Sequence, residues 1–146
     1  MTLVVAPVAG EVIALDDVDD EVFSERIVGD GVAVRPTGSQ VRAPIAGRVE
    51  KLFPGGHGVA IESADGLQVL VHIGLETVKL EGDGFTTLVE EGADVAVGDL
   101  LVTVDLDRLA ELGIDTVTPV VVISGHAVTV VGRGTVAAGD ALLESG

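Results

Sequence analysis

Turn-forming residues punctuate the whole chain at short intervals: Ala9-Gly10, Gly29-Asp30-Gly31, Pro36-Thr37-Gly38, Ala46-Gly47, Pro54-Gly55-Gly56, Asp65-Gly66, Gly82-Asp83-Gly84, Gly98-Asp99 and Gly139-Asp140. Between these marks lie runs rich in Val, Ile, Leu and Thr that are too short for amphipathic helices and long enough for strands. The hydrophobic fraction of 47% comes largely from Val, Ala, Leu and Ile, with three Phe and no Trp or Tyr. Such a chain is expected to be all-β, an antiparallel sandwich or barrel. At 146 residues it fits one domain, 1–146, with enough apolar surface to build a core unaided.

Two internal echoes refine this expectation. Pro7-Val8-Ala9-Gly10-Glu11-Val12 resembles Pro44-Ile45-Ala46-Gly47-Arg48-Val49, and Val95-Ala96-Val97-Gly98-Asp99-Leu100-Leu101 resembles Val136-Ala137-Ala138-Gly139-Asp140-Ala141-Leu142. They imply duplicated strand-turn units within one pseudo-symmetric domain, because each is too short for a solenoid repeat. Helix is expected only briefly. Leu106, Leu109 and Leu112 lie three apart before Gly113, the pattern of a short surface helix, and Phe85–Glu91 before Gly92 is expected to add a turn or two. The acidic run Asp16-Asp17-Val18-Asp19-Asp20-Glu21 reads as a solvated loop.

The chemistry of the chain concentrates in one hairpin. His57-Gly58-Val59-Ala60-Ile61-Glu62 and Leu67-Gln68-Val69-Leu70-Val71-His72 flank Ser63-Ala64-Asp65-Gly66, in which Asp-Gly is a strong hairpin signal. A four-residue loop sets His57 directly opposite His72, and a two-residue loop sets His72 opposite Val59. Either keeps the imidazoles on one face, with Cβ atoms roughly 5 or 7 Å apart, whereas a three-residue loop separates them to opposite faces. Two facing neutral imidazoles serve a packed core poorly, because each ring needs both a donor and an acceptor satisfied. As a reactive pair they serve phosphoryl transfer well. One ring nitrogen attacks near neutral pH, and the neighbouring ring stabilises charge on the phosphoryl oxygens.

Other chemistries lack their residues. With no Cys there are no disulfides, thiolate zinc sites or cysteine intermediates. The paired echoes resemble the half-barrels that carry biotin or lipoate, yet Lys51 and Lys79, the only lysines, sit in no carrier hairpin. A zinc peptidase needs a clustered His set that three separated histidines do not make. Gly29-Asp30-Gly31 is followed by neither a helix nor Gly-Lys-Ser/Thr, so it is no phosphate loop. His126, in Ile123-Ser124-Gly125-His126-Ala127, has no partner in sequence and reads as structural or incidental. A net charge of −16 argues against nucleic acid and anionic lipid and favours basic docking partners. No stretch approaches a membrane span and no signal peptide is evident, so a cytoplasmic location is expected.

Val69-Leu70-Val71-His72-Ile73-Gly74-Leu75-Glu76-Thr77-Val78-Lys79-Leu80-Glu81-Gly82-Asp83-Gly84-Phe85 resembles the glucose-type enzyme IIA of the phosphoenolpyruvate-dependent sugar phosphotransferase system. The resemblance extends through Val22–Ala33, Ala43–Gly47, Glu91–Asp99 and Thr118–Val122, nearly the whole chain. It implies an antiparallel β-sandwich of the duplicated hybrid motif type. It also implies a phosphocarrier that takes a phosphoryl group from HPr and passes it to a cysteine of a IIB domain, with no cofactor. By this resemblance His72 is the phosphoacceptor, and His57 supports the phosphoryl group through Nε2. The Gly74 carbonyl then accepts the Nδ1 hydrogen of His72. Phe23, Phe53, Val59 and Leu70 match an apolar docking patch, with Asp20 and Glu76 at an acidic rim facing basic residues of HPr.

The chain departs from the family pattern at three places. Gly55 stands two residues before His57, where the family often has a Thr. Val59 and Leu70 replace aromatic residues, and the N-terminal extension that some members use at membranes is not found. Two other uses of the same residues are open to test. One is a regulatory binding module without chemistry on the same fold. The other is a metal site made by the two histidines with Glu76 or a partner's carboxylate.

Overall fold

The structure, a computed structural model, describes residues 1–146. The first half runs through β1 (Thr2–Val5), β2 (Gly10–Ala14), β3 (Asp30–Pro36), β4 (Gln40–Arg42), β5 (Gly47–Leu52), β6 (Gly58–Glu62) and β7 (Gln68–His72). The second half adds β8 (Phe85–Thr87), β9 (Asp94–Val95), β10 (Leu100–Val104), β11 (Thr118–Val122), β12 (Val128–Val130), β13 (Thr135–Val136) and β14 (Ala141–Ser145). Helix is confined to α1 (Glu21–Ser24), α2 (Leu106–Glu111) and two 3-10 turns, Leu15–Asp17 and Thr77–Leu80.

The strands form one eight-stranded sheet, ordered β13-β2-β3-β11-β7-β6-β5-β9, and two three-stranded sheets, β4-β10-β8 and β1-β14-β12. Every pairing is antiparallel, so the expected all-β architecture is the one found. The main core lies on one face of the large sheet. Val32, Val34, Val49, Val59, Ile61, Val69, Val71, Val120 and Val122 meet Val41, Leu101, Val102, Leu142 and Leu143 from the two smaller sheets. The other face carries a second cluster of Ala33, Ala60, Leu70 and Val121, covered by Leu15, Val18 and Phe23 from the segment that includes α1. Because successive strand residues point to opposite faces, a central strand covered on both faces is buried along its whole length. All five residues of β11 are buried.

The two sequence echoes dock on each other. Val5 N–H donates to the Pro44 carbonyl at 3.0 Å, and Arg42 N–H donates to the Pro7 carbonyl at 2.7 Å. Ala6 N–H reaches the Asp140 carbonyl while Ala43 N–H reaches that of Asp99, both at 2.8 Å. In each Gly-Asp turn the carboxylate accepts an amide three residues back, from Ala96 to Asp99 and from Ala137 to Asp140. Gly10 and Gly47, which open β2 and β5, have no room for a side chain. A Cβ at either would stand 2.2 Å from a carbonyl oxygen, that of Arg35 or of Glu62. The duplicated strand-turn units thus make equivalent backbone contacts, each copy bonding to the other.

Local expectations met mixed results. The Asp105 side chain caps α2 by accepting Arg108 N–H at 3.0 Å, and the chain turns away at Gly113 (φ +72°), as the leucine spacing implied. Phe85–Thr87, expected as a helical turn, is instead strand β8, paired with Val102–Val104. Its Thr-Thr pair favours extended backbone once a neighbouring strand is available. The acidic run is only partly a loop. Leu15–Asp17 forms a 3-10 turn, and the Asp20 carboxylate accepts Val22 N–H at 2.9 Å to start α1.

Candidate active site

The β6–β7 hairpin has neither of the two even registers favoured by its sequence. Gly58 pairs with His72 and Glu62 with Gln68, and Ser63 N–H donates to the Leu67 carbonyl at 2.8 Å. The loop is therefore the three-residue one, Ala64-Asp65-Gly66, with Gly66 at φ +90°. By strand parity this should send the histidines to opposite faces. It does so for the positions but not for the rings, because β6 begins at Gly58 and His57 lies just before it, after Gly55 (φ +90°) and Gly56 (φ +93°). The residue facing His72 is a glycine, and the Phe53 ring fills the space that a side chain there would need, 2.8 Å from the Cβ position. His57 and His72 consequently meet with ring centroids 5.3 Å apart at 76°. The expected proximity holds, and its cause is the turn before β6 and not the strand register.

Aromatic rings enclose the pair. Phe23, brought by α1, lies 5.2 Å from the His72 ring, and Phe53 lies 5.3 Å from His57 and 6.1 Å from His72. His57 is buried at 3% exposure, while His72 is partly open. The Ile73 amide donates to the His57 carbonyl at 2.7 Å, so the two histidine segments are tied through the backbone as well. His72 Nδ1 sits 2.8 Å from the Gly74 carbonyl. A carbonyl only accepts, so Nδ1 carries a proton, and in the neutral ring Nε2 then holds the lone pair.

Burial pushes both imidazoles below the ordinary histidine pKa, since the charged form loses hydration. For His72 the Gly74 carbonyl and the charge of Asp20 oppose that effect, while His57 adds to it; for His57 the Pro54 backbone opposes it. The net lowering favours the neutral form of each ring at pH 7. The unfolded chain, with histidines near 6.5, then binds more protons than the folded one as the pH falls below that value, so these groups stabilise fully above it and progressively less beneath it. Thermal midpoints of wild type and a His57→Gln variant should therefore run parallel above about pH 7 and diverge toward about pH 5, wild type losing more. Parallel curves throughout would contradict the depressed values.

The remaining expected site residues separate into two groups. Asp20 caps α1 at the rim, and Glu76, at φ +57°, precedes the Thr77–Leu80 turn with its carboxylate 3.2 Å from Lys79 Nζ. The apolar patch is narrower than the resemblance implied. Val59 is 0% exposed and packs in the main core, on the sheet face opposite His72, because the odd register assigns it there; no docked surface reaches it. Phe23 and Leu70, at 4% and 6%, are wall and floor, and among the four only Phe53 is partly exposed. Val22 and Val78, next to Phe23 and Thr77 in the chain, are exposed apolar side chains that the sequence reading did not single out. Adjacency to the motif residues was the available signal.

No three His, Asp or Glu side chains converge, so Glu76 does not complete a metal site with the histidines. His126 is hydrogen-bonded through Nδ1 to Ser124 Oγ at 2.7 Å on the surface. Gly55, where the family often has Thr, leaves a Cβ only 2.7 Å from the Gly82 nitrogen. A side chain at that position requires the loop to move.

The family model described as the phosphoenolpyruvate-dependent sugar phosphotransferase system, EIIA 1, matches residues 2–128. Among solved structures, the glucose permease IIA from Mycoplasma capricolum superposes with a TM-score of 0.92 at 39% identity, covering 97% of this chain and 94% of that one. Helicobacter pylori Csd3 gives a TM-score of 0.48 at 13% identity over 84% of this chain and 32% of that one, too slight a likeness to carry an argument.

Proposed function

Because the chain belongs to the EIIA 1 family of the phosphoenolpyruvate-dependent sugar phosphotransferase system, we propose that it is a IIA phosphocarrier domain over 1–146 with His72 as its phosphoacceptor. The observation that carries this reading is the His72 ring, held by the Gly74 carbonyl at Nδ1 and facing a second imidazole at 5.3 Å. Nε2 of His72 attacks the phosphorus of the phosphohistidine on HPr. The Nε2–P bond forms as the donor P–N bond breaks, and the electron pair leaves with the donor ring. The attacking nitrogen bears no proton, so none needs removal. Positive charge that develops on the His72 ring is stabilised by the Gly74 carbonyl and by Asp20, and His57 hydrogen-bonds the phosphoryl oxygens. A cysteine thiolate of a IIB domain then attacks phosphorus and releases His72 in its starting form.

The rim supports basic partners. Asp20 and Glu76, with exposed Val22 and Val78 and the edge of Phe53, combine acidic and apolar character on a chain of net charge −16. Docking that covers His72 excludes water and suppresses hydrolysis. No helix of the chain is long and apolar enough to cross a membrane, and we place the domain on the cytoplasmic side, where HPr would meet it.

Incubation with phosphoenolpyruvate, enzyme I and HPr should add one acid-labile phosphoryl group, seen by intact mass spectrometry and lost after mild acid. Omitting HPr should prevent the addition. A protein that remains unmodified under these conditions would instead be a regulatory binding module on the same fold.

A further inference from the structure

Phosphoryl acceptance by Nε2 requires the proton of His72 to stay on Nδ1, and a free neutral imidazole distributes its proton between both nitrogens. The Gly74 carbonyl makes the selection at 2.8 Å. That carbonyl belongs to the softest kind of residue, a glycine at φ +75°, which has no side chain of its own to hold its orientation. Its neighbours must hold it. Leu75 N–H, on the far end of the same peptide, donates to the Asp115 carbonyl at 2.9 Å, and Ile73 N–H donates to the His57 carbonyl at 2.7 Å.

The third restraint comes from Thr77, which is buried. Its hydroxyl donates to the Ile73 carbonyl at 2.8 Å, and its Cγ2 lies 2.7 Å from where a Gly74 Cβ would stand. One side chain thus grips the Ile73-Gly74 segment twice, by a hydrogen bond on one residue and by close packing on the next. Glu76, in the left-handed region at φ +57°, turns the chain just before Thr77, at the start of the 3-10 turn. We propose that Thr77 is a positioning residue that, by clamping Ile73-Gly74, keeps the Gly74 carbonyl on Nδ1 of His72 and so selects the reactive tautomer. This inference rests on the assignment of His72 Nε2 as phosphoryl acceptor.

Thr77→Val keeps the shape and removes the hydroxyl, leaving the Ile73 carbonyl without that donor in a dry site; Thr77→Ser keeps the hydroxyl. The tautomer is read from the nitrogen-15 shifts of His72 by NMR, and acceptance is read as the initial rate of labelling from phospho-HPr. The valine variant should show a mixture of tautomers and accept phosphoryl about tenfold to a hundredfold more slowly, by analogy with the loss when a partner that orients a metal-bound imidazole is removed. Serine should restore both. A role confined to stability would lower the thermal midpoint and leave the tautomer alone. If the valine variant does not fold, Thr77→Ala carries the same comparison without the branched bulk. A folded valine or alanine variant with wild-type tautomer and rate overturns the proposal, as does a serine variant that behaves like valine. Wild-type protein that takes no label defeats the phosphocarrier assignment instead, and the tautomer measurement still judges Thr77.

Discussion

His72→Gln should fold like the wild type and take no label from phosphoenolpyruvate, enzyme I and HPr. Glutamine approximates the volume of the ring and so avoids a cavity beside Phe23 and Phe53, which lie 5.2 and 6.1 Å from the imidazole. What it lacks is a lone pair able to form a P–N bond at neutral pH, because its amide nitrogen is delocalised into the carbonyl. His57 cannot take over as acceptor readily. It is 3% exposed, and an incoming phosphoryl donor meets the partly open His72 first. The expected effect is loss of the covalent intermediate altogether, measured by intact mass, with the melting curve as control for folding. Full labelling of the variant would transfer the acceptor role to another residue and defeat the assignment.

His57→Gln is expected to separate acceptance from delivery. Its nucleophile is intact, so the variant should reach full labelling given time. Onward transfer to a IIB domain should fall about a hundredfold, the lower end of the loss when one preorganised donor to developing negative charge is removed. The charge in question is spread over the phosphoryl oxygens as the Nε2–P bond lengthens, and a donor is worth more there than in water because Phe23, Phe53 and a docked partner exclude solvent. The amide of glutamine can donate a hydrogen bond, yet it is not held between Phe53 and His72 as the imidazole is, with centroids 5.3 Å from each. Single-turnover transfer from labelled protein to IIB measures this directly. An unchanged rate would remove His57 from the reaction and reduce it to packing.

The legible and illegible parts of the site divide by the distance over which the deciding forces act. Turn chemistry at Asp65-Gly66, the helix stop at Gly113 and the paired echoes were readable because each depends on residues adjacent in the chain. The hairpin register was not. In β6 the first four residues, Gly58 to Ile61, are all buried, so both faces are apolar and the alternation that selects a register in a half-exposed strand is missing. Val59 was assigned to the docking patch by resemblance alone, and its place on the core face shows only in the packed sheet. Phe85–Thr87 became a strand because β10 lies beside it, which no local propensity reports.

By itself, the order of residues pointed to a fold of strands, to duplicated strand-turn units, and to His57 and His72 as the residues on which to look for chemistry. Those properties follow from turn residues, side-chain periodicity and residue type, all short-range. Tertiary structure alone decided that the two rings meet. A glycine opposite His72, a turn before β6, and rings delivered by α1 and by the end of β5 created the contact against the parity of the strand. It also decided that Thr77 and Asp115 grip the peptides on either side of Gly74. The physical reason is that a one-residue change of register costs little locally, whereas packing on both faces of a buried sheet distinguishes sharply between the alternatives.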